Sequence, residues 1–343
     1  AWIQAHGHAQ IFGWIGTFIL GIGYYSIPKL RRMKPFALWA PWTSLLMWGS
    51  GVTLRWIAGV YEWHWRVLLP LSAGVESAAC RIFFLMVSGH RSPSETQAGK
   101  LDAWILAIMA GCVGWLLALI MNFSSATFIA FRAAAPVLPH GFDQRFLVLE
   151  TWGFLVPFIW GFSAKWLPIF LGLRALRPRH LVWAIKLNSA GVIAALFGFN
   201  LASSFLLMAG IVTAAYSLRL FEPGERAAKI KGVHRSFPMF VRLAYGWAIV
   251  SVGLAIWASL TAVSAGIWGA SRHALTVGFI ALMVFCVGQR ILPAFSGMRA
   301  LFSTKLMFDA LGLHFAGCFL RVGSEILAYR GFAGFAWSWL PDR

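Results

Sequence analysis

One segment sets the class of this chain, HGHAQIFGWIGTFILGIGYYSIPKLRR at residues 6–32. It opens with two histidines, continues as an apolar run of the roughly 20 residues that cross a bilayer as a helix, and closes with Lys and Arg. Because the cytoplasmic ends of membrane helices are rich in Lys and Arg, this order orients a transmembrane helix and places the histidines at its outer end. The segment predicts a membrane protein that carries a redox metal.

The composition also indicates a membrane protein. Hydrophobic residues make up 59% of the 343 residues, charged residues only 12%, and the mean hydropathy is +0.73. Soluble domains carry about 25% charged residues. The formal charge of +18 suggests an anionic partner, but the Lys and Arg lie in short breaks between apolar runs and not on one soluble face. This distribution argues against a nucleic acid as partner.

The apolar runs predict an all-α, polytopic bundle of transmembrane helices with the lipid bilayer as its partner. No soluble domain and no repeat of about 20–50 residues is apparent, so residues 1–343 are expected to form a single integral membrane domain. The start does not resemble a signal peptide, and we expect further sequence upstream of Ala1, with one more helix. A weaker run at 323–340 brings the expectation to about 10–12 spans. The ten clear runs are 9–28, 36–60, 66–88, 102–122, 146–172, 181–199, 200–219, 238–260, 272–292 and 306–322.

Lys and Arg are divided unequally between the two sets of loops. If successive runs cross in alternate directions, the loops on one side carry 16 of them and those on the other side carry 6. The richer side is expected to be cytoplasmic. Residue 1 is therefore predicted to lie outside.

The four cysteines do not form a metal-binding motif. Cys80, Cys112, Cys286 and Cys318 lie singly inside apolar runs, so the chain has no CxxC pair, no haem-attachment motif and no iron–sulfur ligand run. We expect them to be small buried hydrophobic residues. Any metal or cofactor needs other ligands.

Histidine is the ligand type that the sequence offers. An imidazole in hydrocarbon is costly unless it is paired or liganded, and both haem iron and copper accept it. For His64 a place among interface aromatics is an alternative, for His140 a plain loop position, and for the others a satisfied core histidine. The predicted topology places His90, His180 and His234 on the inner side and the following residues at or towards the outer side: His6, His8, His64, His140, His273 and His314.

The first two histidines do not face the same way if the helix already includes residue 6. At 100° per residue His6 and His8 lie about 200° apart, so they would serve two different sites. An extended start would let them share one ion. Gln10 follows His6 by four residues and would then be its neighbour on a helix, where it could orient the ring.

Charged residues inside the runs form a second group of candidates. Glu76 lies near mid-span with Arg81 close by, which suits an interior ion pair or a proton relay. Arginines near the outer ends could hold haem propionates, although anchoring at the membrane surface is the simpler account for most of them. They are Arg55, Arg66, Arg132, Arg272 and Arg321.

Four stretches carry a resemblance to a known family. They are HGHAQIFGWIGTFILGIGYYSIPK (6–29), TWGFLVPFIWGFSAKWLPIFLGLRAL (151–176), SRHALTVGFIALMVFCVGQRILPAFSGMRAL (271–301) and LGLHFAGCFLRVGSE (311–325). Together they resemble the NnrS family of polytopic membrane proteins along essentially the whole chain. Many members have HAHE at the first motif, whereas this chain has HGHAQ, so the carboxylate of that motif is absent.

The resemblance implies a bacterial inner-membrane protein that contains haem b and copper and binds or turns over nitric oxide or a related small gas, as an oxidoreductase or in defence. It suggests that His8, with His273 or His314, ligates haem iron, and that His6 with His64 holds copper or a second haem. Glu76 would supply protons, and Arg272 and Arg321 would meet the propionates.

Two other functions stay open from the sequence. One is a b-haem electron-transfer or anchoring subunit of a larger respiratory complex, with bis-histidine ligation and partner subunits. The other is a cofactor-free, proton-coupled transporter in which His and Glu relay protons, although no inverted repeat is apparent.

Overall fold

The structure is a computed structural model, which describes residues 1–30, 33–89, 102–229, 232–261, 265–295 and 303–332. These residues form ten helices and no strand, so the predicted all-α, polytopic fold is confirmed. The helices are α1 (2–30), α2 (Trp39–Val60), α3 (Trp65–Gly89), α4 (Ala103–Arg132), α5 (His140–Leu171), α6 (Pro178–Leu196), α7 (Asn200–Ser217), α8 (Phe237–Leu260), α9 (265–295) and α10 (Thr304–Tyr329).

Each helix coincides with one of the ten apolar runs. Within the described ranges, eight helices are long and apolar enough to cross a membrane, which makes this a multi-pass membrane protein. The other two, α2 and α6, are not among these eight; α2 contains Arg55, and α6 contains Arg179 and Lys186. A separate helix at 323–340 was wrong for its first part, since residues 323–329 continue α10. Residues 333–340 lie outside the described ranges.

The chain divides into two compact units by its contacts, Ala1–Lys100 with Gly114–Glu150, and Leu101–Val113 with Thr151–Arg343. The single membrane domain therefore stays a prediction.

In the first unit small residues let helices pack closely. A Cβ on Gly51 of α2 would lie 2.6 Å from Glu76 Cγ of α3. The ring of Trp48 stacks on Phe12 of α1 and meets Trp115 of α4 edge-on.

In the second unit, α6 and α7 form a helical hairpin, and α8 packs on α7 and α9. Gly172 ends α5 in the left-handed region at φ 67°, where a side chain would be strained. The loop after α7 is held by Glu222, which accepts hydrogen bonds from Arg177 at 2.7 Å and Arg219 at 2.8 Å. These contacts fix the chain where α6 begins.

Among the described residues, three helices contain a π-helical segment, in which each backbone hydrogen bond spans one residue more than in an α-helix. The segments are Ala9–Gly16 in α1, Leu149–Leu155 in α5 and Ala274–Ala281 in α9. Such segments are rare and occur often at functional sites. Two of them begin directly after a histidine that the sequence singled out, His8 and His273.

Candidate functional site

In the first unit the site is built around His8 and Glu76. His8 ends the first α-helical segment of α1 and is only 4% exposed, while Glu76 of α3 is fully buried. His8 Nε2 donates to Glu76 Oε1 at 2.8 Å, and the imidazole stacks on Phe12 at 4.6 Å between ring centroids. A buried carboxylate is tolerable only when it is paired in this way.

The second carboxylate oxygen of Glu76 is also engaged. Asn122 Nδ2 of α4 donates to Glu76 Oε2 at 3.0 Å. The buried guanidinium of Arg55 on α2 acts electrostatically on the same carboxylate. Four helices thus contribute to one polar cluster inside the first unit. The expected partner of Glu76, Arg81, is exposed instead, so the predicted ion pair between them is not formed.

The contact with Glu76 fixes which nitrogen of His8 carries the proton. Because Nε2 donates to the carboxylate, the neutral ring has its lone pair on Nδ1. Nδ1 is buried and has no hydrogen-bond partner among the described residues. An imidazole held by a carboxylate on one nitrogen, with a lone pair on the other, is the arrangement of a metal ligand.

A second histidine–carboxylate pair lies in the second unit. His273 Nδ1 donates to Glu325 Oε2 of α10 at 2.7 Å and to the carbonyl of Gly269 at 3.0 Å. Both partners are acceptors, so Nδ1 carries a proton, and in the neutral ring the lone pair is on Nε2. The side chain of His273 is 32% exposed and that of Glu325 is 4% exposed. About a third of the His273 side chain is therefore not covered by the described residues.

His314 lies in α10 and is engaged differently. Its Nε2 donates to the backbone carbonyl of Val277 at 2.9 Å, and its ring meets Phe285 edge-on. That hydrogen bond occupies the nitrogen through which histidine usually binds haem iron. The predicted ligand role of His314 stays a prediction, but Nε2 is not available while this hydrogen bond is formed.

His6 and His64 both lie in the first unit, in different local surroundings. Residue 6 is helical, so His6 and His8 face different directions, and Gln10 Nε2 donates to His6 Nε2 at 3.0 Å as expected. His64 is exposed in the loop between α2 and α3, in the left-handed region at φ 41°. Across the described ranges no three His, Cys, Asp or Glu side chains are grouped as a metal site.

The outer arginines have several different surroundings. Arg55 is 5% exposed inside α2, so surface anchoring is wrong for this residue. Arg66 donates to the carbonyls of Ala130 and Ala133, where it caps the end of α4. Arg272 Nε donates to Trp268 within its own helix. Propionate binding by Arg272 and Arg321 remains a prediction.

The remaining histidines have local partners or surface positions. His140 is exposed and begins α5, His180 is exposed beside Tyr216, and His234 contacts Ser236. His90 lies outside the described residues.

Sequence reasoning missed Asn122 and Glu325 as site residues. The signal for Glu325 was present, because an acid within an apolar span is costly and rare in a chain with only 11 Asp and Glu. Asn122 gave a weaker signal, since amide side chains in membrane helices also hydrogen-bond across helices for structural reasons.

The donor set fits single metal–histidine bonds better than a closed copper site. His8 and His273 each have a carboxylate on one nitrogen and a lone pair on the other, which suits one metal bond apiece. A closed copper site is built from several soft or imidazole ligands, and the described residues contain no group of three or more His, Cys, Asp or Glu side chains.

Comparison of the chain with protein-family models, with curated proteins and with solved structures finds no match.

Proposed function

We propose that the chain is a redox protein of a bacterial inner membrane that holds haem b and binds or turns over nitric oxide or a related small gas; a second metal, copper, is proposed from the resemblance alone. One observation carries the proposal. Two histidines, His8 and His273, are each held by a buried carboxylate within helices of membrane-spanning length. The resemblance of four stretches to the NnrS family supports the choice of cofactor and gas.

The chain's own residues hold and orient the ligands. Glu325 and the Gly269 carbonyl fix the proton of His273 on Nδ1, which leaves Nε2 to bind a metal. The carboxylate also makes the imidazole a stronger electron donor, since it draws on the Nδ1 proton. When bound, haem iron would supply one-electron chemistry and a coordination position for the gas.

Around His8 the same features limit access by water. Phe12 covers one face of the imidazole, and Phe12 itself stacks on Trp48. Glu76 is hydrogen-bonded to Asn122, and the buried Arg55 acts electrostatically on Glu76. The proposal that Glu76 relays protons is based on its contacts with His8 and Asn122.

The test is the reduced-minus-oxidised optical spectrum of detergent-purified protein, with and without carbon monoxide, with iron and copper analysis of the same sample. We expect a haem band that shifts with carbon monoxide, because a gas-binding haem keeps an open position. A haem band that ignores carbon monoxide would indicate an electron-transfer subunit with bis-histidine ligation. Absence of haem and copper would refute the proposal.

A proton-coupled transporter without cofactor is the second candidate. The buried contact between His8 and Glu76, beside Arg55, favours it, because titratable groups inside membranes commonly mark proton paths. Metal-free protein whose proton uptake in vesicles is lost in Glu76→Gln would support this function instead.

A further inference from the structure

Three helices carry the same sequence pattern. In α1, α5 and α9 a glycine is followed by an aromatic residue and then by Ile or Leu, and a proline stands fifteen residues after the glycine. The three stretches are Gly13-Trp14-Ile15 with Pro28, Gly153-Phe154-Leu155 with Pro168, and Gly278-Phe279-Ile280 with Pro293.

The backbone follows the pattern at each of these glycines. Each π-helical segment begins four residues before the glycine, at Ala9, Leu149 and Ala274. The α-helical segment before it ends five residues before the glycine in all three helices. The residues at that end are His8, Val148 and His273.

The next helix along the chain, α2, α6 or α10, makes the same kind of contact with the helix that contains the π-helical segment. A π-helical segment leaves a backbone carbonyl without its usual partner, and such a carbonyl needs another donor. In each case a side-chain N–H of the next helix donates to the backbone carbonyl of the residue before the glycine. The pairs are Trp48 Nε1 to Phe12 at 2.7 Å, Asn188 Nδ2 to Trp152 at 2.8 Å, and His314 Nε2 to Val277 at 2.9 Å.

The donors occupy equivalent positions in their helices. Trp48, Asn188 and His314 each precede a glycine by three residues, namely Gly51, Gly191 and Gly317. An indole, an amide and an imidazole share little chemistry except an N–H that can donate a hydrogen bond. The common requirement at this position is therefore donation to the carbonyl, and metal ligation is not part of it.

We infer that α1–α2, α5–α6 and α9–α10 are three copies of one helix pair, in which residues 8, 148 and 273 occupy the site position and residues 48, 188 and 314 donate a structural hydrogen bond. The second copy has lost its site, because Val148 cannot bind a metal. His314 has the structural role. The assignment of ligands rests on the proposed function, whereas the repeat itself does not.

The two remaining site histidines differ in the nitrogen that they present. His8 offers Nδ1, which lies beside the ring carbon that carries Cβ, on a side chain that is 4% exposed. A flat porphyrin cannot approach that nitrogen without meeting the protein backbone. His273 offers Nε2, the nitrogen far from the backbone, on a half-buried side chain. The structure thus assigns haem binding to His273, with Glu325 as its positioning residue.

The assignment is tested by haem content per protein, measured on purified wild-type protein and variants. We expect His273→Ala to lose the haem, and His8→Ala and the surface control His180→Ala to keep it at the wild-type ratio. If His273→Ala does not fold, His273→Met keeps a ligand atom and should change the spectrum. Retention of an unchanged haem spectrum in the His273 variant, or loss of haem in a folded His8→Ala, would overturn the assignment.

The positioning role of Glu325 has its own readout. Glu325→Gln keeps a side chain of similar shape but removes the charge that draws on the Nδ1 proton. We expect haem content to be unchanged and the midpoint potential to rise, because a less basic imidazole stabilises ferric haem less well. An unchanged potential would assign Glu325 a purely structural role.

The structural role of His314 is tested by exchanging the donors between copies. His314→Asn places the second copy's donor in the third copy, whereas His314→Leu removes the donor. We expect His314→Asn to keep wild-type haem content and melting temperature, and His314→Leu to melt at a lower temperature. Loss of haem in folded His314→Asn would show ligation by His314 and refute the shared role. If the wild-type protein contains no haem, the proposed function is refuted. The repeat is then still tested by the melting temperatures of His314→Asn and His314→Leu.

Discussion

At the scale of single residues, Glu76 brings four helices of the first unit to one point. Its two carboxylate oxygens accept hydrogen bonds from His8 and Asn122, and Arg55 lies near enough to act electrostatically on it. An unpartnered donor in a buried site costs the desolvation energy that a hydrogen bond would otherwise offset. The carboxylate therefore holds the cluster together as well as orienting His8.

We expect Glu76→Ala to lower the free energy of unfolding by about 1–3 kcal/mol, because His8 and Asn122 would be left as buried donors without an acceptor. Glu76→Gln keeps one acceptor oxygen and should lose less. Thermal unfolding in detergent, followed by circular dichroism, measures the difference. Arg81→Ala is the control, since Arg81 is exposed. An equal loss of stability in Arg81→Ala would contradict this and would support the ion pair between Glu76 and Arg81 that the sequence predicted.

The sequence could single out His8, Glu76 and His273 because a polar group in an apolar run is costly wherever its partner lies. It could not supply the partners. His8 and Glu76 are 68 residues apart, and His273 and Glu325 are 52 apart, so only the packing of different helices joins them. Arg55 shows the same limit, because a position near the end of a run does not reveal which way the residue faces.

At the scale of helices, hydropathy predicted all ten elements, since length and apolar content decide whether a segment can span a bilayer. It did not predict the π-helical segments. Each segment receives a hydrogen bond from a side chain of another helix, such as that from Trp48 to the carbonyl of Phe12, and a local sequence pattern does not contain this contact. The repeated glycine and proline spacing was visible in the sequence, but it recurs over intervals much longer than about 50 residues, the usual upper limit for repeat units.

The packing of α8 on α9 gives a prediction at this scale. A Cβ on Gly278 would lie 2.5 Å from Trp247 Cγ, closer than side chains approach. We expect Gly278→Ala to push the two helices apart and to lower the free energy of unfolding by about 1–3 kcal/mol. The matched control is Gly246→Ala on the same helix as Trp247, where the Cβ would meet nothing within 4 Å. Thermal melting should show the control unchanged or slightly stabilised, and equal losses in both variants would contradict the close packing.

The loop between α7 and α8 gives a pH-dependent prediction. The hydrogen bond from Arg219, together with that from Arg177, holds the pKa of Glu222 below its ordinary value of 4.5. A lowered pKa means that the ionised form stabilises the fold at neutral pH and that this contribution disappears as the pH falls through the lowered value. We expect wild-type protein to melt above Glu222→Gln at pH 7 and the two melting temperatures to converge in acid. A difference that persists in acid would show that charge is not its source.

At the scale of the whole molecule, the distribution of Lys and Arg predicts an orientation that the helices alone do not give. The loops that carry most of these residues alternate with loops that carry few, which places residue 1 and the loop between α2 and α3 outside. The loop between α7 and α8 falls on the inner side. Five helices, α3 to α7, separate these two loops, and α6 is the one of the five that is not among the candidate membrane spans.

Single cysteines in the two loops test this orientation. Trp63→Cys and Glu225→Cys both replace exposed residues, whereas the native cysteines are buried or half-buried. We expect a membrane-impermeant maleimide to label Trp63→Cys in intact cells and to label Glu225→Cys only after lysis, with the unsubstituted chain as the control. Labelling of both cysteines from the same side would mean that an even number of helices cross the membrane between the two loops, as would happen if α6 did not cross it. The reverse pattern would place residue 1 inside, so that His8 and His273 would lie near the cytoplasmic ends of their helices and a gas would have to reach them from that side.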